Sequence, residues 1–350
     1  MEFGRYFVPG PSEVHPDVLQ AMARPVVYHR SREAQELLDR VQPLLQEVFG
    51  TRRPVHPFAS SGTGVVEAGL RAIPRGKILA LVNGAFSERF AKIAEACGHF
   101  VERIERPWGA VHDPAEIGID GHAAVTVVHN ETSTGALQPL AELARAAEVP
   151  LLVDSVSGAG GVPVEMDARG LAYVCTGAQK ALALPPGLSF AAASERLLEL
   201  AAHADRRGVY LDLLQYERRA PPFTPAISLL YALDAQRERI EREGLAGRFT
   251  RHRRMAERTW AWVESARERL GVALDVLAPE GFRSPTVTCI RLPDPLTGPE
   301  VVRRIRKRGY TVGGGYGRLK ETTFRIGHMG EQTPETLEGL LAACDEALVG

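Results

Sequence analysis

Residues 151–180 read LLVDSVSGAGGVPVEMDARGLAYVCTGAQK. Two apolar runs in this stretch, Leu151–Asp154 and Tyr173–Thr176, each stop at small or polar residues. The first is apolar on both faces, and so is the Val-Thr-Val-Val run inside Ala124–His129. Strands of that kind belong to a parallel sheet covered by helices. Working outward, further strand candidates are Val55–Ala59, Lys77–Val82, His99–Ile104 and Leu188–Ala193. Helical patterns fall between several of them: Val65–Ala72, Phe86–Cys97 stopped by Gly98, and Pro139–Glu148 opened by proline in its first turn. This alternation predicts an α/β fold, with a large domain built on a mostly parallel sheet.

The flanks read differently. Ser31 can cap a helix in which Leu37, Leu38, Val41, Leu44, Leu45 and Val48 share a face, with Gly50 as its stop and Pro43 as a kink. Beyond about residue 225 a long helical stretch runs from Ala226 to Arg269. Strands at Ala273–Leu277 and Thr286–Arg291, a helix at Gly298–Arg308, a strand at Thr323–Ile326 and a last helix from Pro334 follow. The expected division is an N-terminal segment 1–20 that joins the small domain and the site, a large domain 21–245, and a smaller α+β domain 246–350.

Composition narrows the function. The chain has 350 residues, 45% hydrophobic and 24% charged, which excludes wholesale disorder. A net charge of −1 argues against a dedicated nucleic-acid binder. The basic run Arg303–Arg308 is interleaved with Val301, Val302 and Ile305 and reads as a solvated helix face. No apolar run approaches the roughly 18 residues of a membrane span. The first residues lack a secretory pattern, so a soluble, cytoplasmic protein is expected. Cys97, Cys175, Cys289 and Cys344 form no CxxC pair and there is no HExxH, so reduced thiols and no metal are expected. Gly313–Gly317 lacks the strand–turn–helix context of a dinucleotide loop and is expected as a flexible loop, carrying Arg318 and Lys320 near the substrate.

Ligands of open α/β sheets bind at the carboxyl ends of the strands. Three such ends stand out. At Ser60-Ser61-Gly62-Thr63-Gly64 a strand turns into a helix through small residues, a place for a phosphate or simply a tight packing turn. Asp154 ends an apolar strand, where it is either a turn residue or a shielded carboxylate in need of a cationic partner. Lys180 follows a third strand among small and apolar residues, and it is an ordinary loop lysine or a desolvated nucleophile. Of the five lysines, Lys77 opens a strand, Lys92 sits mid-helix and Lys307 lies in a basic helix, which leaves Lys180 as the best placed. A phosphate cradle, an acid for a ring nitrogen and a lysine for an aldehyde together match the needs of pyridoxal 5'-phosphate.

With these pieces in order, the chain resembles the class V aminotransferases of fold type I, nearest to the alanine/serine–glyoxylate (serine–pyruvate) branch. The resemblance spans Pro9-Gly10-Pro11-Ser12, His29-Arg30-Ser31, Ser61-Gly62-Thr63-Gly64, Thr132-Ser133-Thr134-Gly135, Val153-Asp154-Ser155-Val156, Gln179-Lys180-Ala181-Leu182 and Phe324-Arg325-Ile326-Gly327. It implies that Ser61, Gly62, Thr63 and Gln179 hold the cofactor phosphate, that Phe86 stacks on its ring and that Thr132 lies near its phenolic oxygen. It further implies catalytic roles for Lys180 and Asp154, and Arg325 as the anchor of the substrate carboxylate. A homodimer with shared sites is implied too, with Thr224 reaching the partner's phosphate. The chain departs from the family just before that threonine, where Pro221 stands in place of a tyrosine; Tyr216 or Arg219 is the expected substitute. The implied reaction moves an amino group from alanine or serine to glyoxylate or pyruvate by a ping-pong cycle. Alternatives are a phosphoserine or aminoethylphosphonate transaminase, a cysteine desulfurase-like lyase, and a non-catalytic scaffold subunit.

Overall fold

Runs of residues buried on both faces form the middle of the main sheet. In the computed structural model, which describes residues 3–218 and 221–349, seven strands pair in one sheet. Their order is His56–Phe58, Ser189–Ala193, Tyr173–Gly177, Leu151–Asp154, His122–Val128, Lys77–Val82 and Phe100–Glu105. The last five run parallel, while Ser189–Ala193 is antiparallel to both its neighbours. Every residue of Leu151–Asp154 and Tyr173–Gly177 is buried, which is why neither shows a polar alternation. Successive side chains point to opposite faces. Leu151 and Val153 therefore join one apolar layer, under the helix Arg32–Phe49, and Leu152 joins the other, under Gly62–Arg71 and Ala85–Ala96.

The helix Arg32–Phe49 starts where expected, with Ser31 Oγ accepting from the amide of Ala34 at 3.3 Å. Pro43 lies inside this single helix and does not end it. The long stretch after residue 225 is two helices, Ile227–Glu243 and Leu245–Leu270, and not one. Gly244 separates them at φ 73°, a left-handed conformation that a continuous right-handed helix cannot contain.

A second, five-stranded sheet has the order Tyr6–Phe7, Thr311–Gly314, Thr323–Gly327, Val287–Arg291 and Asp275–Val276. Phe7, Phe324, Ile326 and the helix residues Trp262, Leu337 and Leu341 form its core. The N-terminal strand Tyr6–Phe7 pairs with Thr311–Gly314, so the two ends of the chain meet here. The glycine run expected as a loop is only partly one: Gly313 and Gly314 end a strand, and Gly317–Leu319 is a single 3-10 turn. Gly313 is buried against Pro9, whose Cδ would lie 2.6 Å from an added Cβ, so this glycine serves close packing. Among the described residues no helix is long and apolar enough to cross a membrane.

Candidate active site

The parallel strands all deliver their following residues to one edge. Phe86 follows Lys77–Val82, Thr132 follows His122–Val128, Asp154 ends its own strand, and Gln179 and Lys180 follow Tyr173–Gly177. Together with Ser61, Gly62 and Thr63 they line a single cavity of about 250 Å³. Eight of the ten residues singled out in the sequence thus converge. Arg325 sits just behind the cavity wall, donating to the carbonyl of Thr132 at 3.0 Å and to that of Gly314 at 2.8 Å. Thr224 lies elsewhere: it is exposed and borders a surface groove with Val26, Val27, Tyr28 and His29.

Lys180 is 8% exposed, and its ammonium donates to the carbonyl of Pro9 at 2.5 Å. Its own carbonyl accepts from Ser12 Oγ at 2.7 Å, which fixes the loop from the N-terminal side. Gly10 is pressed against it, and a Cβ there would come within 2.4 Å of the lysine Cδ. Burial pulls the amine down to about 8; the charges of Arg325 and Arg89 act the same way, and Asp154 opposes them. Asp154 is pushed up to about 6, chiefly by burial, with the carboxylate of Glu131 adding to the rise. The amide of Val156, donating at 2.9 Å to one carboxylate oxygen, pulls the other way, as do Lys180 and Arg89. An acid so poised ionises when a cation is placed beside it.

Across the cavity, Ser61 precedes the helix Gly62–Arg71 without a side-chain cap bond. The first amides of a helix have no intrahelical partner, and they favour an anion. Gly62 lets this turn pack on Val156, whose methyl would lie 2.9 Å from an added Cβ.

Two buried residues were missed in the sequence. Glu131 is fully buried and accepts from the amides of Phe86 (3.1 Å), Ser87 (2.9 Å) and Ser133 (3.1 Å) and from Ser133 Oγ (2.5 Å). It holds the start of the helix Ala85–Ala96 and with it Phe86, whose ring centroid is 6.0 Å from Lys180 Nζ. The signal was an acid directly before the Thr-Ser-Thr-Gly run. Asn130 donates from Nδ2 to the carbonyl of Ser157 (2.7 Å) and to Thr286 Oγ1 (2.6 Å). The residue lines the cavity, and its Oδ1, enclosed by protein, has no partner among the described residues.

Of the substitutes considered for the tyrosine missing at Pro221, Tyr216 is ruled out. It is buried and stacks on Phe58 at 3.8 Å between ring centroids, so it belongs to the core. Arg219 lies outside the described residues. No cysteine lines the cavity, and burial pushes the thiols of Cys175 and Cys289 up, the latter to about 11.

A nucleophilic amine, a poised carboxylate and a helix start with free amides in one cavity suit pyridoxal phosphate. Set at the carboxyl edge of this sheet, beside a second, mixed sheet, they define a fold type I transferase. Known proteins agree. The aminotransferase class-V family pattern matches residues 10–268, and the chain belongs to that family of aminotransferases. An uncharacterised aminotransferase of Methanocaldococcus jannaschii is 36% identical, covering 97% of this chain and 91% of its own. An L-aspartate–glyoxylate aminotransferase of Paracoccus denitrificans is 32% identical over 96% of this chain and 89% of its own. Among solved structures, an alanine–glyoxylate aminotransferase of Nostoc sp. superposes with a TM-score of 0.90 at 34% identity, covering 99% of this chain and 96% of its own.

Proposed function

We propose that the protein is a pyridoxal-phosphate-dependent transaminase that moves the amino group of a small amino acid, alanine or serine in the simplest case, to glyoxylate or pyruvate. The observation that carries this reading is the convergence of Lys180 and Asp154 on one cavity with a buried, carboxylate-free Arg325 beside it. Relatives named for aspartate–glyoxylate and alanine–glyoxylate exchange support the class of reaction. Bound pyridoxal phosphate supplies an electron sink that stabilises negative charge at the substrate's α-carbon.

The chain's own residues do the rest. Ser61, Gly62, Thr63 and Gln179 hold the phosphate, and Phe86 covers one face of the ring. Asp154 ionises and keeps the ring nitrogen protonated. Thr132 and Asn130 are further polar residues of the cavity lining. Lys180 would hold the cofactor's aldehyde, and its amine, near pKa 8, can take and return the substrate's α-proton close to neutral pH. Arg325, fixed by two backbone carbonyls, keeps N–H groups for the planar fork that suits the substrate carboxylate. A second copy of the chain covers the groove at Thr224, where Val26 and Tyr28 stand exposed, and brings that threonine to the partner's phosphate.

Mixing protein with pyridoxal phosphate tests this. A protein-bound visible absorption band is expected, changed by alanine or serine, restored by glyoxylate or pyruvate, and absent in Lys180→Ala. A band that survives in Lys180→Ala, or ignores every amino acid, overturns the reading. Sedimentation of a dimer checks the shared site.

A further inference from the structure

We infer that the preferred substrate carries a second acidic group at the end of a short side chain, and that Arg89 binds it. The inference rests on the transaminase reading, in which Arg325 takes the α-carboxylate.

Arg89 stands on the first turns of the helix Ala85–Ala96 and lines the cavity. Its Nη2 donates to Tyr316 Oη at 2.8 Å, and its guanidinium lies 5.0 Å from the Phe86 ring centroid. Arg325 is 5.6 Å from the ring centroid of the same tyrosine. Among the described residues no carboxylate pairs with either arginine, although ion pairs hold many of the chain's other arginines. Arg318, two residues beyond Tyr316, is packed 4.3 Å over the ring of Trp108. The acid close by, Glu88, is bound to Lys92 at 2.8 Å.

Arg325 is buried, where a guanidinium without an anion is costly, whereas Arg89 is solvent-exposed at the cavity and keeps its charge free for an incoming anion. A monocarboxylic amino acid neutralises one of them. A short dicarboxylic acid neutralises both, and the fork of Arg89 matches its second carboxylate. The field of Arg89 already reaches the reacting groups, since it acts on both Lys180 and Asp154. A side-chain anion bound there therefore sits close to the chemistry.

The test compares succinate with butyrate, equal in length and differing in one end group, by calorimetric titration of the protein saturated with pyridoxal phosphate. Succinate is expected to bind roughly tenfold more tightly or better, a preference that Arg89→Gln removes and Arg89→Lys partly keeps. The ratio of half-reaction rates with aspartate and alanine is expected to fall by a similar factor in Arg89→Gln. Equal binding of the two acids by the unaltered protein, or an undiminished preference in Arg89→Gln, overturns the inference. Failure of the underlying reading looks different: neither alanine nor aspartate then changes the bound cofactor at all.

Discussion

At the residue scale, the site holds two groups against their preferred charge. Burial lifts Asp154 to about 6 and lowers Lys180 to about 8. For Asp154 the folded form binds its proton more tightly than the unfolded chain, so stability is lost as pH rises from the ordinary carboxylate value of 3.8 through 6. Above 6 the whole penalty is present, roughly 3 kcal/mol from the size of the shift. Lys180 has the opposite proton balance, and its penalty is relieved only as pH rises from 8 towards 10.5. In cofactor-free protein near pH 7 both charges are therefore present and uncomfortable. Asp154→Asn is expected to make cofactor-free protein more stable at pH 7 by about 1–3 kcal/mol, with the gain fading as pH falls from 6 towards 4. Urea melts at several pH values measure it, and an equal or opposite effect at all pH values contradicts the assignment. The same variant should bind pyridoxal phosphate weakly, because the ring nitrogen loses its anion.

At the scale of elements, what was legible depended on how local the signal was. Leu151–Asp154 and Tyr173–Gly177 could be read because full burial writes itself as an unbroken apolar run. Tyr6–Phe7 could not, because a two-residue strand exists only through its pairing with Thr311–Gly314, some three hundred residues away. Gly244 was visible in the sequence, yet the apolar period continues on both sides of it and concealed the break. Ser61, Gly62, Thr63, Asp154 and Lys180 were named because they follow strand ends or open a helix, and Phe86, Thr132 and Gln179 only through the family resemblance, whereas Glu131 was passed over because a lone acid ordinarily belongs to the surface. Its place at the start of the helix Ala85–Ala96 can be tested. Glu131→Ala leaves the amides of Phe86, Ser87 and Ser133 without their acceptor in a dry setting, at a cost of about 2–4 kcal/mol. Glu131→Gln keeps one acceptor in the same shape and should cost less. Denaturant melts of both variants check the order; a harmless Glu131→Ala would mean the helix start finds other partners.

At the scale of the whole molecule, the lysine loop is tied to the segment after the Arg325 strand by a buried ionic cluster. Arg248, 1% exposed, donates to the carbonyl of Ala181 at 2.8 Å and pairs with Glu331 at 3.2 Å and Glu243 at 3.1 Å. Glu331 lies four residues beyond the strand that carries Arg325, and it also accepts from Gln236 and Arg239. The cluster thus spans both long helices, the segment after Arg325 and the residue after Lys180. Burial alone would raise Glu331, but Arg248 and the bonds from Arg239 and Gln236 hold it at about 2. Its folded value lies below the unfolded one, so its stabilisation is complete above pH 4.5 and is lost as pH falls through 2. Glu331→Gln strands Arg248 in the interior without its main counter-charge, a change worth about 3 kcal/mol or more near neutral pH. The deficit relative to the unaltered protein should shrink as pH falls from 4.5 towards 2, where Glu331 of the unfolded chain takes up its proton first. Because Arg248 also holds the backbone after Lys180, the variant should bind pyridoxal phosphate less tightly even where it remains folded. Urea melts across pH, paired with a cofactor titration at neutral pH, separate the two effects. A variant that loses stability but binds cofactor undiminished would make the cluster a brace for the fold alone, with no hold on the lysine.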